Sequence, residues 1–453
     1  MYFLISEKFN QPIMLYIIAL VCALAFIILG IVRWKIHPFF VLLLAAIGYG
    51  FITGMSVTAI IDSVNNGFGS IMGKIGLIIF FGVAIGTVLE KSGGAMVIAT
   101  RMIQLIGEKS IHLAMMLTGY LLSIPVFADS AFIIMNSLNK ALSEKAKVAY
   151  AGTTAALALG LTATHVMVPP TPGPIAAAGI LNAELGSVIL WGLIVSSLSL
   201  ISCYFFATKI ASKVNVPIRM EVAPDVVHRP KLSLSLLCII VPIILIVLKS
   251  VFDYPELDMT GSAAYPVIAF FGTPVIALLI GVILSLLLPE KLDQHVYSAT
   301  GWLGDSLRIA APIILITGAG GIFGAMLQNS GFAELITESF SGMSIGLFFP
   351  FLLAACLKTT QGSSTVALIT TASIVAPMMP ALGLDETFMK TMTVLAIGAG
   401  STVVSHANDS FFWVFTQLTG MDVKQGNQIQ TVGTLILGTS AMTLIFCISK
   451  IMG

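Results

Sequence analysis

Charged side chains are scarce in this sequence. Of its 453 residues, 9% are Asp, Glu, Lys or Arg and 57% are hydrophobic. A soluble globular protein carries about 25% charged residues, so a chain this poor in charge cannot cover a water-exposed surface. The scarcity excludes an ordinary soluble enzyme and predicts a protein that places most of its surface in lipid. The net charge of +1 gives no sign of a nucleic-acid partner, and we predict none.

Cysteine is also rare, and its spacing excludes two kinds of stabilisation. The five cysteines lie within or beside apolar stretches, at Cys22, Cys203, Cys238, Cys356 and Cys447. No two of them share the spacing of a metal site, and apolar surroundings are typical of unpaired thiols. We therefore predict neither disulfides nor a metal site, and no cofactor.

What the sequence has in abundance is long apolar runs. About 20 apolar residues cross the hydrocarbon core as a helix. On this basis we predict ten crossings, at 14–32, 38–55, 75–90, 150–182, 186–208, 232–251, 268–288, 309–327, 389–419 and 430–449. Those at 150–182 and 389–419 are interrupted by polar residues. Two more apolar stretches, 111–141 and 344–378, are broken in mid-run, so we predict that they are re-entrant hairpins. The predicted fold class is an all-α polytopic membrane protein.

The distribution of basic residues predicts the orientation. Cytoplasmic loops of membrane proteins are enriched in Lys and Arg. If the loop 33–37 is cytoplasmic, most of the other Lys and Arg residues also fall in cytoplasmic segments, whereas the loop 252–267 carries acids and no base. This arrangement places both termini outside, and we predict an inner-membrane protein.

Similar segments recur in the two halves of the chain. Related octapeptides begin at Gly86 and Gly324, and polar groups within the hairpins recur at Asp129 and Ser363. Each half would hold five crossings and one hairpin. Because the number of crossings is odd, the second half would have the opposite orientation in the membrane. We therefore predict two inverted repeats, a common design of secondary transporters, at 1–208 and 232–453. A cytoplasmic linker would occupy 209–231.

The two hairpins carry polar groups at membrane depth, where such groups are costly. Pro125 should break the first hairpin, and Asp129 and Ser130 suit the N-cap of the returning helix. The second hairpin has Gly362 followed by hydroxyl residues, and the positive end of its returning helix suits a carboxylate. For Lys358, snorkelling toward the outer face and a polar role in the hairpin both remain open.

The interrupted crossings supply further candidate groups. Four prolines between 169 and 174 prevent a regular helix, and unwound backbone at this depth is tolerated only in protein or beside a water-filled cavity. We predict substrate binding by Asp129, Ser130, Pro170, Thr171, Gly173, Gly362, Ser363, Ser364, Thr365 and Asn408. The candidates for proton exchange are Asp129, Asp409, His165 and His406. The acids could instead cap helices, and the histidines could instead hold the non-helical backbone in place.

These clusters resemble those of the gluconate permease family, which comprises bacterial proton symporters for sugar acids and hydroxy acids. The resemblance rests on residues 125–129, 168–174, 361–367 and 405–410, which include Pro-Pro-Thr-Pro-Gly-Pro and Ser-His-Ala-Asn-Asp-Ser. It implies a homodimer of the ion-transporter superfamily type that works as an elevator. The chain departs from the family at Ala128, where many members have an aromatic residue, and at Thr171, where many have histidine.

Together these observations predict a transporter that takes up gluconate or a related sugar acid with protons, and not an enzyme. Its partners would be a small organic carboxylate, the lipid bilayer and a second copy of the chain. Two alternatives share the architecture: a sodium-coupled carboxylate symporter and an anion channel. An intramembrane aspartyl protease is a further alternative, since Asp129 and Asp409 are two acids within the membrane.

Overall fold

The computed structural model describes residues 2–107, 110–217, 230–253, 259–332 and 346–452. Within these ranges the chain forms helices and no strand. The first half contains Tyr2–Val32, Pro38–Ile52, Val57–Lys91, Gly94–Ile106, Ile111–Leu122, Ala128–Ala146, Tyr150–Met167, Pro172–Leu181 and Leu185–Lys209. A short 3₁₀ turn, Ala211–Lys213, follows them.

The second half is also helical throughout its described residues. Its helices are Leu232–Phe252, Tyr265–Phe271, Pro274–Ser285, Gln294–Tyr297, Trp302–Asn329, Phe348–Gln361, Ser364–Val375, Thr387–Gly400, Ser410–Thr419, Val423–Gly426 and Val432–Met452. A π-helical segment, Asn427–Thr431, joins the last two. Short 3₁₀ turns lie at Met259–Gly261 and Ala376–Met378.

Most of the predicted crossings correspond to helices that can span a bilayer. Seven described helices are long and apolar enough, and an eighth span exists if Tyr265–Phe271 and Pro274–Ser285, bent by 64°, count together. Pro38–Ile52 has 15 residues. At about 1.5 Å per residue it is too short for a core of about 30 Å. The predicted crossing at 389–419 consists of two short helices. The total of ten crossings therefore stays a prediction.

Two helices extend well beyond their predicted bounds. The crossing predicted at 75–90 belongs to a 35-residue helix, Val57–Lys91, which we call the first long helix. The crossing predicted at 309–327 belongs to the 28-residue second long helix, Trp302–Asn329. Apolar runs mark only the part of a helix at lipid depth, so the polar turns that continue it were missed. The two helices pack with their backbones close together, because a Cβ on Gly67 would lie 2.7 Å from the Gly321 oxygen.

Both segments predicted as hairpins consist of two helices that contact each other across a short break. The first hairpin is Ile111–Leu122 with Ala128–Ala146, and the second is Phe348–Gln361 with Ser364–Val375. Each of the four helices has fewer than 20 residues. Three of them have 14 residues or fewer, and Ala128–Ala146, with 19, is not among the described helices apolar enough to span a bilayer. Both segments therefore suit hairpins better than crossings.

The interrupted crossing at 150–182 is the most deeply buried of the candidate membrane spans, with 94% of its most apolar stretch inside the protein. We call Tyr150–Met167 and Pro172–Leu181 the first broken helix. The first long helix contacts its break through Gly82, where a Cβ would lie 2.5 Å from the Pro170 oxygen. One turn later, a Cβ on Gly86 would lie 2.0 Å from the Pro125 oxygen in the first hairpin. Close backbone contact thus holds both breaks against one helix.

Candidate functional site

A cavity of about 160 Å³ lies where the two hairpin breaks meet the second broken helix, Thr387–Gly400 with Ser410–Thr419. The first hairpin lines it with residues 127–129, and the second hairpin lines it with Lys358 and residues 363–365. Thr402, Ser405 and Asp409 add polar groups from the second break. Pockets for drug-sized ligands measure about 300–1,000 Å³, so this cavity suits a small metabolite.

The strongest electrostatic feature of the cavity is a buried ion pair. Lys358 Nζ lies 2.7 Å from Asp409 Oδ2, and the two side chains are 2% and 8% exposed. Lys358 also donates to the Gly362 carbonyl, and the Ser405 hydroxyl donates to Asp409. Snorkelling of Lys358 toward the surface is therefore wrong: the hairpin turns the lysine inward, where an acid and a carbonyl compensate its charge.

Asp409 has a second role as a helix cap. Its Oδ1 accepts a hydrogen bond of 3.1 Å from the Phe411 backbone N–H, at the start of Ser410–Thr419. Capping, which the sequence offered as the alternative to proton exchange, thus occurs together with ion pairing on one carboxylate.

Asp129 has a different environment. The returning helix of the first hairpin begins at Ala128 with Phe127 as its N-cap, so the expectation that Asp129 and Ser130 cap it is wrong. The Val126 N–H donates to the Leu122 carbonyl, so the chain makes one more turn after the first helix of the hairpin. The returning helix then starts at Ala128, and Asp129 lies within its first turn. Its carboxylate lines the cavity and has no hydrogen-bond or ion-pair partner among the described residues. It is therefore available to a ligand or a proton.

The break in the second hairpin requires its glycine. Gly362 has φ +87°, and a Cβ there would lie 2.1 Å from the backbone carbonyl oxygen of Asn408. Ser363 then caps the returning helix by accepting a hydrogen bond from Val366 N–H, and Ser364 donates to the Ser401 carbonyl at 2.8 Å. The helix start, with its partial positive charge, thus faces the cavity beside Lys358.

The structure brings some of the predicted site residues together and places others elsewhere. The cavity is lined by Asp129, His165, Ser363, Ser364, Thr365 and Asp409. It is not lined by Ser130, Pro170, Thr171, Gly173, Gly362, His406 or Asn408. Two of these, His406 and Asn408, contact the Thr359 carbonyl and hold the second hairpin in place. Gly173 packs against Leu368, where a Cβ would lie 2.7 Å from the leucine Cδ1.

Sequence analysis missed several cavity residues. Lys358 gave a usable signal, a lone cation in an apolar hairpin. Gln430 gave none, because it opens an apolar run and was counted with the crossing at 430–449. Thr162, Thr402 and Thr434 also line the cavity, and hydroxyl residues in apolar helices are too common to single out.

A second, larger hollow of about 680 Å³ lies between the long helices and the loop that holds Asp385. Its charged groups are already satisfied: Lys74 donates to Asn182 at 2.8 Å, and Lys390 pairs with Asp385 at 3.0 Å. The smaller cavity, with a free carboxylate and a buried cation, is the better candidate for a substrate site.

Residues 14–451, almost the whole chain, match the sequence pattern of a protein family described as "GntP family permease". The chain belongs to the GntP permease family. An uncharacterized permease of Haemophilus influenzae is 34% identical over 93% of this chain and 89% of its own. A gluconate permease of Pseudomonas aeruginosa is 32% identical, over 96% of this chain and 97% of its own.

A solved structure gives the same architecture. The YdaH transporter of Alcanivorax borkumensis superposes with a TM-score of 0.67, covering 92% of this chain and 98% of that chain. At 13% identity this likeness concerns the fold alone. As a GntP permease with several membrane-spanning helices, the protein is a multi-pass inner-membrane transporter and not an enzyme.

Proposed function

We propose that this GntP permease takes up gluconate or a closely related sugar acid together with protons. The observation that carries the proposal is the cavity that combines a buried lysine, a helix N-terminus and an unpaired carboxylate. The similarity to a gluconate permease of Pseudomonas aeruginosa supports the substrate class.

The carboxylate of the substrate would bind beside Lys358. The start of Ser364–Val375 offers backbone N–H groups and a partial positive charge, and Lys358 supplies a full one. Anions bind readily at such helix ends. Lys358 is the only Lys or Arg among the described residues that line the cavity, so the carboxylate has one place where a positively charged side chain can bond to it.

The charge balance of the cavity favours proton coupling. With both acids ionised and His165 neutral, Lys358, Asp409 and Asp129 sum to one negative charge. A monocarboxylate would add a second, and uncompensated charge is costly in a low-dielectric interior. A proton on Asp129, which lacks a protein partner, would remove that extra charge. Substrate and proton would therefore enter together.

The proposed architecture is a pair of inverted repeats with both termini outside. Ser202 and Ser440, 238 positions apart, share a hydrogen bond of 2.8 Å between the last helices of the two halves. The octapeptides that begin at Gly86 and Gly324 have the same separation, which supports equivalent positions meeting at a symmetry axis. From the family resemblance we further propose a homodimer with an elevator mechanism.

The test is uptake by purified protein in lipid vesicles with an inward proton gradient. Labelled gluconate should accumulate against its gradient, and a protonophore should abolish the accumulation. Sodium at fixed pH should have no effect. Accumulation driven by sodium alone would replace protons as the coupling ion, single-channel currents would favour a channel, and no uptake of any sugar acid would overturn the proposal.

A further inference from the structure

We propose that Gln430 recognises the hydroxyl groups of the substrate, so that the cavity selects polyhydroxylated carboxylates over plain ones. The inference rests on the proposed function and names the group that would set its specificity. Nothing in the motifs that identify the family includes this residue.

Gln430 is a buried amide without a protein partner. The residue is 1% exposed and lines the cavity. Neither its Nε2 nor its Oε1 has a hydrogen-bond partner within the described part of the chain. Asn136, by contrast, donates to the Leu418 carbonyl and accepts from the Tyr150 hydroxyl. Gln361 also has both amide atoms without a partner in the described part of the chain, but it does not line the cavity. A buried polar group is normally bonded, so an amide with both atoms free inside a cavity points to a ligand.

The backbone around Gln430 fixes this amide in place. The residue lies in the π-helical segment Asn427–Thr431, and such segments occur frequently at functional sites. The Thr431 hydroxyl donates to the Ser405 carbonyl, and Thr434 accepts from the Ser405 N–H at 3.1 Å. These bonds tie the π-helical segment and the start of the helix that follows it to the same break that carries Asp409, so Gln430 has a set position relative to the ion pair.

The chemistry of an amide matches that of a polyol. An amide donates hydrogen bonds through its nitrogen and accepts them through its oxygen, and a hydroxyl group can likewise act as donor and as acceptor. His165 Nδ1, which is buried and has no partner within the described part of the chain, adds a second polar atom on the same cavity. A carboxylate with a hydrocarbon chain would leave these groups unsatisfied, whereas a sugar acid would bond to them. Sites built to bond a hydroxyl reject analogues that lack it.

The experiment compares gluconate with hexanoate, which has the same number of carbons and no hydroxyls. Purified full-length protein is tested for thermal stabilisation by each acid, as wild type, Gln430→Met, Gln430→Leu and Gln428→Met. Gln428 is exposed in the same π-helical segment and serves as the control. A bound ligand raises the melting temperature by mass action, so the concentration dependence reports affinity.

We expect wild type and Gln428→Met to prefer gluconate by about tenfold or more. Gln430→Met and Gln430→Leu should bind gluconate about tenfold more weakly and hexanoate unchanged, while the ligand-free protein melts no lower than wild type. Equal loss of both acids, or a preserved preference, would overturn the role of Gln430. If gluconate does not raise the melting temperature of wild type, the proposed function is overturned and this inference with it.

Discussion

Lys358 and Asp409 form an ion pair where each charge alone would be costly. A single charge at the bilayer centre costs about 2.5–3.5 kcal/mol on insertion scales. Here the lysine bonds to a carboxylate and a carbonyl, and the carboxylate also accepts from Ser405 and Phe411. Such a pair contributes little net stability but becomes strongly unfavourable when one partner is removed. Its position on the cavity therefore favours a role in binding.

Removing one partner should harm the fold more than removing both. We expect Lys358→Gln to destabilise the protein by about 3–5 kcal/mol, because Asp409 keeps an uncompensated buried charge. The double variant Lys358→Gln with Asp409→Asn should recover most of this stability and still fail to transport gluconate. Thermal unfolding in detergent and vesicle uptake measure the two effects. A double variant that transports normally would contradict the role of Lys358.

Replacing the unpaired acid should separate binding from coupling. We expect Asp129→Asn to retain gluconate exchange across vesicles without a gradient and to lose proton-driven accumulation, because the amide cannot take up the proton. Asp62→Asn, an exposed position on the first long helix, serves as the control and should behave as wild type. Equal losses of exchange and accumulation would count against Asp129 as the proton carrier.

At the scale of elements, the breaks are held by glycine contacts. Gly82 and Gly86 of the first long helix approach the Pro170 and Pro125 carbonyls. Small residues allow helices in membranes to pack this closely. The first long helix therefore positions both the first hairpin and the first broken helix, although it contributes no residue to the cavity.

A methyl group at this contact should be poorly tolerated. In Gly86→Ala the new Cβ would lie 2.0 Å from the Pro125 oxygen, so the hairpin must move and transport should fall by about tenfold or more. Gly73→Ala, on the same helix with nothing within 4 Å, should be neutral or slightly stabilising because alanine favours helix. Similar uptake by the two variants would show that this contact does not position the site.

Sequence patterns predicted the breaks but not their contacts. Pro125, Gly362 and the prolines of 169–174 interrupt helices because of local chemistry, and the structure has breaks at all three places. The polar ends of the long helices were missed, since hydropathy detects only residues at lipid depth. The inward turn of Lys358 and the burial of Gln430 depend on segments far away in the sequence, and no local pattern encodes them.

At the scale of the whole molecule, the proposed topology has a direct consequence for labelling. In a variant without native cysteines, we expect a membrane-impermeant thiol reagent applied to whole cells to label Ser262→Cys and to spare Lys35→Cys. Both residues are exposed in loops, which the basic-residue distribution places on opposite faces. Permeabilised cells, in which both should react, provide the control. The reverse pattern would invert the orientation.

The central claim is that one cavity binds a carboxylate and a proton together. Its most direct measurement is the proton uptake that accompanies gluconate binding, followed with a pH dye in weakly buffered solution of purified protein. The charge balance predicts uptake of about one proton per gluconate bound by wild type and none by Asp129→Asn. Saturable gluconate binding by wild type without proton uptake, or equal uptake by the variant, would contradict the account.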